Sequence, residues 1–128
     1  MQISITVIII IRNILNFGHT VGHALESYYD FKMSHGEAIL YGMGVASHLS
    51  KKANYLNDND YKRIIKLIET FKLPKLKKID SSQIISCINS DKKNIGNKLN
   101  YILLKNIGTA VIEKDYNKNL IKEGLEIL

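Results

Sequence analysis

Three of the four histidines in this 128-residue chain fall within 17 residues: His19 and His23 in Gly18-His19-Thr20-Val21-Gly22-His23, and His35 in Ser34-His35-Gly36-Glu37. Residues four apart on a helix stand one turn above the other on the same face, so His19 and His23 form a pair. His35 follows a break at Asp30 to Ser34 and opens a second helix. If the three rings are to share a ligand, the chain must fold back so that two helices converge on one point. Histidine is the common neutral ligand of zinc and the usual proton carrier near neutral pH. The flanking glycines let a metal or ligand approach the backbone. Against this stands the reading of ordinary core or surface histidines, which the spacing of His19 and His23 alone does not displace. His35 shifts the balance toward a site. His48 has no such company and reads as a solvent or core histidine.

Apolar periodicity predicts a mainly α domain. A first helix is expected over Arg12 to Tyr29, and a second, capped by Ser34, from His35 to about Asn54 with Ile39, Met43, Ala46 and Leu49 as its core stripe. Gly42 and Gly44 each cost about 1 kcal/mol in a helix interior relative to alanine, so close packing against another helix is expected to compensate. Asp58 or Asp60 opens a third helix carrying Ile64, Ile65, Leu67, Ile68 and Phe71, ended by Leu73-Pro74. Ser81 or Ser82 starts a fourth through Ile84, Ile85 and Ile88. Asn100 to Leu104 and Ala110 to Glu113 read as a small β-hairpin joined across Asn106-Ile107-Gly108. Asn117 or Asn119 begins a last helix to Ile127.

With 45% hydrophobic residues, one core and one domain are expected. The single cysteine, Cys87, cannot form an internal disulfide, which points to a reducing cytoplasm. The net charge of +6 is spread over 16 lysines and two arginines with no aromatic-rich basic motif, so nucleic-acid binding is not expected. A modest positive field still favours an acidic, phosphorylated substrate. Residues 1–11 form an atypical apolar segment whose Val7-Ile8-Ile9-Ile10-Ile11 reads as a strand. It falls far short of the roughly 20 apolar residues that span a bilayer, so no membrane insertion is expected. It also lacks the features of a signal peptide. The segment reads as the edge of a truncated or rearranged gene product, prone to aggregation where exposed.

The sequence Arg12-Asn13-Ile14-Leu15-Asn16-Phe17-Gly18-His19-Thr20-Val21-Gly22-His23-Ala24-Leu25-Glu26 resembles the C-terminal domain of the 3-dehydroquinate synthases. His35-Gly36-Glu37-Ala38, Tyr41-Gly42-Met43, Asp91-Lys92-Lys93-Asn94 with Gly96, the strand at Tyr101 to Leu104 and Ile107-Gly108 continue that likeness in order and spacing over residues 12–128. The resemblance implies a helical metal-binding domain, with His19 and His35 as zinc ligands (or ligands of another divalent metal such as cobalt). It implies that His23 touches the substrate phosphate region, that Arg12 pairs with the substrate carboxylate, and that Asn16 binds substrate. Lys92, with Lys93 as second choice, would supply a lysine near the phosphate. The residue types suit these tasks, since arginine offers a planar fork to a carboxylate and lysine a point charge to phosphate.

The implied reaction converts 3-deoxy-D-arabino-heptulosonate 7-phosphate to 3-dehydroquinate with loss of phosphate, a step toward aromatic compounds that uses NAD and zinc. In the family a third zinc ligand, a glutamate, and the NAD site come from an N-terminal domain. This sequence has no Gly-x-Gly-x-x-Gly and no room before Arg12 for a nucleotide-binding βαβ unit. A complementing N-terminal domain or a homodimer is therefore the implied partner. Glu26 and Glu37 are the nearby carboxylates. Ser34 and Glu37 have the capping-box spacing, which gives Glu37 a helix-start role, and Glu26 reads most simply as a solvated carboxylate. Two function classes follow: a metal-dependent carbon–oxygen lyase incomplete in this chain alone, and a noncatalytic zinc-binding helical module or a part of another sugar-phosphate cyclase.

Overall fold

The computed structural model describes residues 16–76, 79–92 and 99–128. Their order is α1 (His19–Tyr28), α2 (His35–Lys52), α3 (Asp58–Glu69), α4 (Ser81–Lys92), β1 (Tyr101–Asn106), β2 (Thr109–Glu113) and α5 (Lys118–Gly124), closed by a 3-10 turn at Leu125–Ile127. The mainly α architecture with one small hairpin near the C-terminus is as expected. The residues 1–15, with the apolar run and Arg12, lie outside the described residues, as do 77–78 and 93–98.

The first helix starts later than its periodicity suggests. Gly18 has φ 82, a conformation that side-chain-bearing residues rarely adopt, and it turns the chain immediately before His19. The His19 N–H donates to the Asn16 carbonyl at 2.9 Å within that turn. α1 then runs three turns and ends in Asp30 and Phe31, both left-handed, with the Phe31 N–H donating to the Glu26 carbonyl at 2.8 Å. This tight end reverses the chain into α2. Ser34 caps α2 as expected, its Oγ accepting from the Glu37 N–H at 3.2 Å, while Ser34 Oγ–H also meets Glu37 Oε1 at 2.8 Å. Glu37 is thus committed to the helix start.

α1 and α2 lie antiparallel and touch backbone to backbone. A methyl at Gly42 would fall 2.0 Å from the Gly18 carbonyl oxygen and 3.0 Å from the Gly22 nitrogen. Here close packing does offset the glycine cost. Val21, Ala24 and Leu25 of α1, Ala38, Val45, Ala46 and Leu49 of α2, and Ile84 and Ile88 of α4 form the centre of the core. The hairpin closes one side, with Leu103 opposite Val111 and a bulge between Leu104 and Asn106. Ser50 couples it to α2: its Oγ donates to the Ala46 carbonyl at 2.7 Å and accepts from the Leu104 N–H at 2.9 Å. Asp80, one residue ahead of the expected serines, caps α4 through Oδ1, which accepts from the N–H groups of Ser82 and Gln83. Asparagine caps the other two, Asn57 accepting from the Asp60 N–H and Asn117 from that of Asn119. Among the described residues no helix is long and apolar enough to cross a membrane.

Candidate metal centre

The antiparallel register of α1 and α2 decides where the histidines go. Gly18 lies beside Met43, Gly22 beside Ala38 and Ile39, and one turn further Glu26 meets His35 at the first residue of α2. His19 and His23 occupy the same face of α1, so His35 arrives next to both. The ring centroids are 5.2 Å apart for His19 and His23, 5.6 Å for His19 and His35, and 5.8 Å for His23 and His35. Zinc–nitrogen bonds of about 2.0–2.1 Å in tetrahedral geometry place imidazole centroids about 5 Å apart. Imidazole rings at these separations suit a divalent cation of borderline softness.

Glu26 corrects the sequence reading. It is not a solvated carboxylate but 8% exposed, enclosed where α2 folds back over α1. Its Oε1 contacts Nδ1 of His35, and its Oε2 lies 3.8 Å from Nδ1 of His23. The donor atoms of His23, Glu26 and His35 lie within 4.8 Å of one another. Residues 19, 23 and 26 follow the i, i+4, i+7 pattern of one helix face. That pattern was present in the sequence, but burial of its last member depends on the returning helix.

Burial holds the pKa of His19 below the ordinary histidine value, reinforced by the charges of His23 and His35 and opposed by Glu26. A neutral imidazole is the form that binds a metal. His48 is shifted the same way by burial and by Lys52 and Lys51, but it packs beside Tyr61 and not in the cluster.

Beside the histidines lies a cavity of about 600 Å³ lined by His19, His35, Gly36, Met43, Lys72 and Pro74, among others. Its outer wall comes from the segment after α3, tethered by a hydrogen bond from Tyr41 Oη to the Pro74 carbonyl. Lys72, left-handed at φ 53, is a cation on this wall that no motif singled out. Asn16 is exposed in the turn before Gly18, and its carbonyl, bonded to the His19 N–H, is what it contributes there. Lys92 is the last residue of α4 and its side chain, like all of Arg12 and Lys93, lies outside the described part. The structure thus brings His19, His23 and His35 together.

The family described as 3-dehydroquinate synthase C-terminal matches residues 10–94. The chain is 44% identical over 117 residues to the 3-dehydroquinate synthase of Dehalococcoides mccartyi, covering 91% of this chain and 33% of that protein. It is 42% identical over 105 residues to that of Clostridium beijerinckii, covering 80% and 30%. The chain therefore spans about a third of the length of the curated relatives it matches. Among solved structures, 2-epi-5-epi-valiolone synthase from Streptomyces hygroscopicus, with NAD+ and Zn2+ bound, superposes with TM-score 0.77 at 22% identity, over 88% of this chain and 32% of that one. A 2-deoxy-scyllo-inosose synthase complexed with carbaglucose-6-phosphate, NAD+ and Co2+ gives TM-score 0.72 at 27% identity, over 88% and 32%.

Proposed function

Because this chain belongs to the 3-dehydroquinate synthase family through its C-terminal domain, we propose that it is the metal-binding part of an enzyme converting 3-deoxy-D-arabino-heptulosonate 7-phosphate to 3-dehydroquinate. The observation that carries this reading is the approach of the His19 and His35 rings to 5.6 Å across two antiparallel helices. In it, His19 and His35 hold zinc or cobalt, as the donor chemistry allows. When bound, such an ion supplies Lewis acidity to substrate oxygens, lowering the cost of alkoxide character. The half-buried position of His19 lowers its pKa, which favours the neutral form that a metal ion needs.

The other residues of this chain then divide the substrate between them. In this reading His23, whose side chain is half exposed, donates a hydrogen bond to the phosphate region. Lys92 contributes a positive charge there, and Arg12 and Asn16 take the carboxylate and a hydroxyl. Lys72, Leu73 and Pro74 border one side of the cavity. The sequence has no glycine-rich dinucleotide loop, so NAD and a further metal ligand come, in this reading, from sequence or a partner beyond these 128 residues. The identities near 44% and 42% to 3-dehydroquinate synthases favour this substrate over those of the structural neighbours.

Calorimetric titration with zinc tests the metal assignment. The wild-type chain should bind the ion weakly, and a His19→Ala/His35→Ala double variant should lose that binding. Equal affinity in the two would overturn the assignment. Supplied with NAD, zinc and the heptulosonate phosphate, the chain by itself should release no phosphate. Turnover under those conditions would show that the pocket needs nothing from outside, and metal binding without turnover in the presence of a complementing N-terminal domain would favour the noncatalytic module.

A further inference from the structure

We propose that Glu26 is a positioning residue that selects the ligand nitrogen of His35, accepting a hydrogen bond from its Nδ1–H so that the Nε2 lone pair is left for a metal ion. The inference rests on the metal reading above and concerns a residue that reading does not use. Glu26 lies on α1 with its side chain only 11% exposed. A carboxylate removed from water is costly unless it is paired. Among the described residues the side chains nearest its oxygens are two histidines, His35 at Oε1 and His23 at Oε2, and no lysine or arginine pairs with it.

An ionised carboxylate has no proton to give, so a ring nitrogen in contact with it carries the hydrogen. Neutral imidazole has one N–H, and placing it on Nδ1 leaves the lone pair on Nε2. Histidines that bind metals nearly always donate their other N–H to a carboxylate, carbonyl or water, which fixes the tautomer and ring orientation. The opposite arrangement, with Glu26 as a ligand alongside His23 and His35, would use the same donor atoms lying within 4.8 Å. An ion shared by Nδ1 of His35 and Oε1 of Glu26 would require their contact to open. The contact is closed, and it lies at the point where the first residue of α2 is pinned against α1.

Long-range 1H–15N correlation spectra of histidine-labelled, metal-free protein at mildly alkaline pH read the tautomer directly. His35 should be in the Nδ1–H form in the wild type and in Glu26→Gln, whose amide oxygen still accepts, and should revert to the Nε2–H form common in water in Glu26→Ala. Cobalt titration of the same proteins should show affinity about 10- to 100-fold weaker in Glu26→Ala, with visible band positions unchanged and partial rescue in Glu26→Gln. Circular dichroism confirms that each variant is folded. A wild-type His35 carrying its proton on Nε2 overturns the proposal even if Glu26→Ala does not fold. So does unchanged cobalt affinity in Glu26→Ala, or a shift of the cobalt bands in both variants, which would make Glu26 a ligand. A wild-type chain that binds no cobalt overturns the metal reading itself, and the tautomer, which needs no metal, tells the two failures apart.

Discussion

On one face of α2, a methyl group at Gly42 would lie 2.0 Å from the backbone oxygen of Gly18, whereas on another face a methyl at Gly44 would meet only Ile68 Cδ1, at 4.0 Å. The two glycines are two residues apart in one helix and look alike in the sequence. One is required by backbone contact with α1 and the other is not, which corrects the expectation that close packing offsets both. The neighbouring helices show the same contrast. α1 buries Val21, Ala24 and Leu25 completely, whereas α3 buries no residue and leaves Leu67 65% exposed, with Phe71 just beyond its end 58% exposed. The tightly packed side is the side that carries the histidines. A site that needs ring positions held to a fraction of an ångström is built where the backbones themselves set the spacing. α3 is joined to α2 instead by partly covered isoleucines and by Lys51 on Asp58, an exposed pair of small individual worth.

Substitutions can break that contrast or sharpen it. The largest effect is expected from Gly42→Ala, which must separate α1 from α2 and should cost more than about 3 kcal/mol, read by urea denaturation, with loss of zinc binding in the same protein. Leu25→Ala should cost about 3 kcal/mol through the cavity it leaves in the core, whereas Leu67→Ala on α3 should change stability by less than about 0.5 kcal/mol. Equal losses would show that α3 is as firmly packed as α1. Gly44→Ala should raise stability by about 1 kcal/mol, because it removes the helix-interior glycine without a clash. A loss there would mean that both faces of α2 are equally close.

The smallest effect concerns the α2–α3 junction. Hydrogen bonds from Lys51 and then Lys62 hold the Asp58 carboxyl down to about 2, below its ordinary value of 3.8. A depressed carboxylate contributes stability above its unfolded value, and that contribution is lost as pH falls through the folded one. Asp58→Asn should therefore lower the urea midpoint slightly at pH 6, and the difference should vanish near pH 2 and in high salt. A difference that persists in high salt would show that something other than exposed charge pairing acts at this junction.

Much of the fold was legible because its signals are local. Ser34 with Glu37, the isoleucines of α4 and the turn around Gly108 each act within a few residues, and each element forms where its signal lies. The first helix was overextended because its periodicity continues through Gly18, while the left-handed φ that stops it is a property of the folded backbone. Asp80 does not stand out in the sequence beside two serines that look like equally good caps. At the site, the paired His19 and His23 were readable from spacing. The burial of Glu26 and the presence of Lys72 on the cavity wall were not, because each depends on a segment that returns from elsewhere in the chain.

The sequence by itself determined that two imidazoles share one helix face and that a third opens the next helix, since helical geometry and capping chemistry depend on neighbours a few residues away. Only the tertiary structure decided that the two helices run antiparallel in a register that sets His35 on Glu26. That register comes from backbone contact at Gly18, Gly22 and Gly42, a steric fit between segments about 20 residues apart that no local pattern encodes.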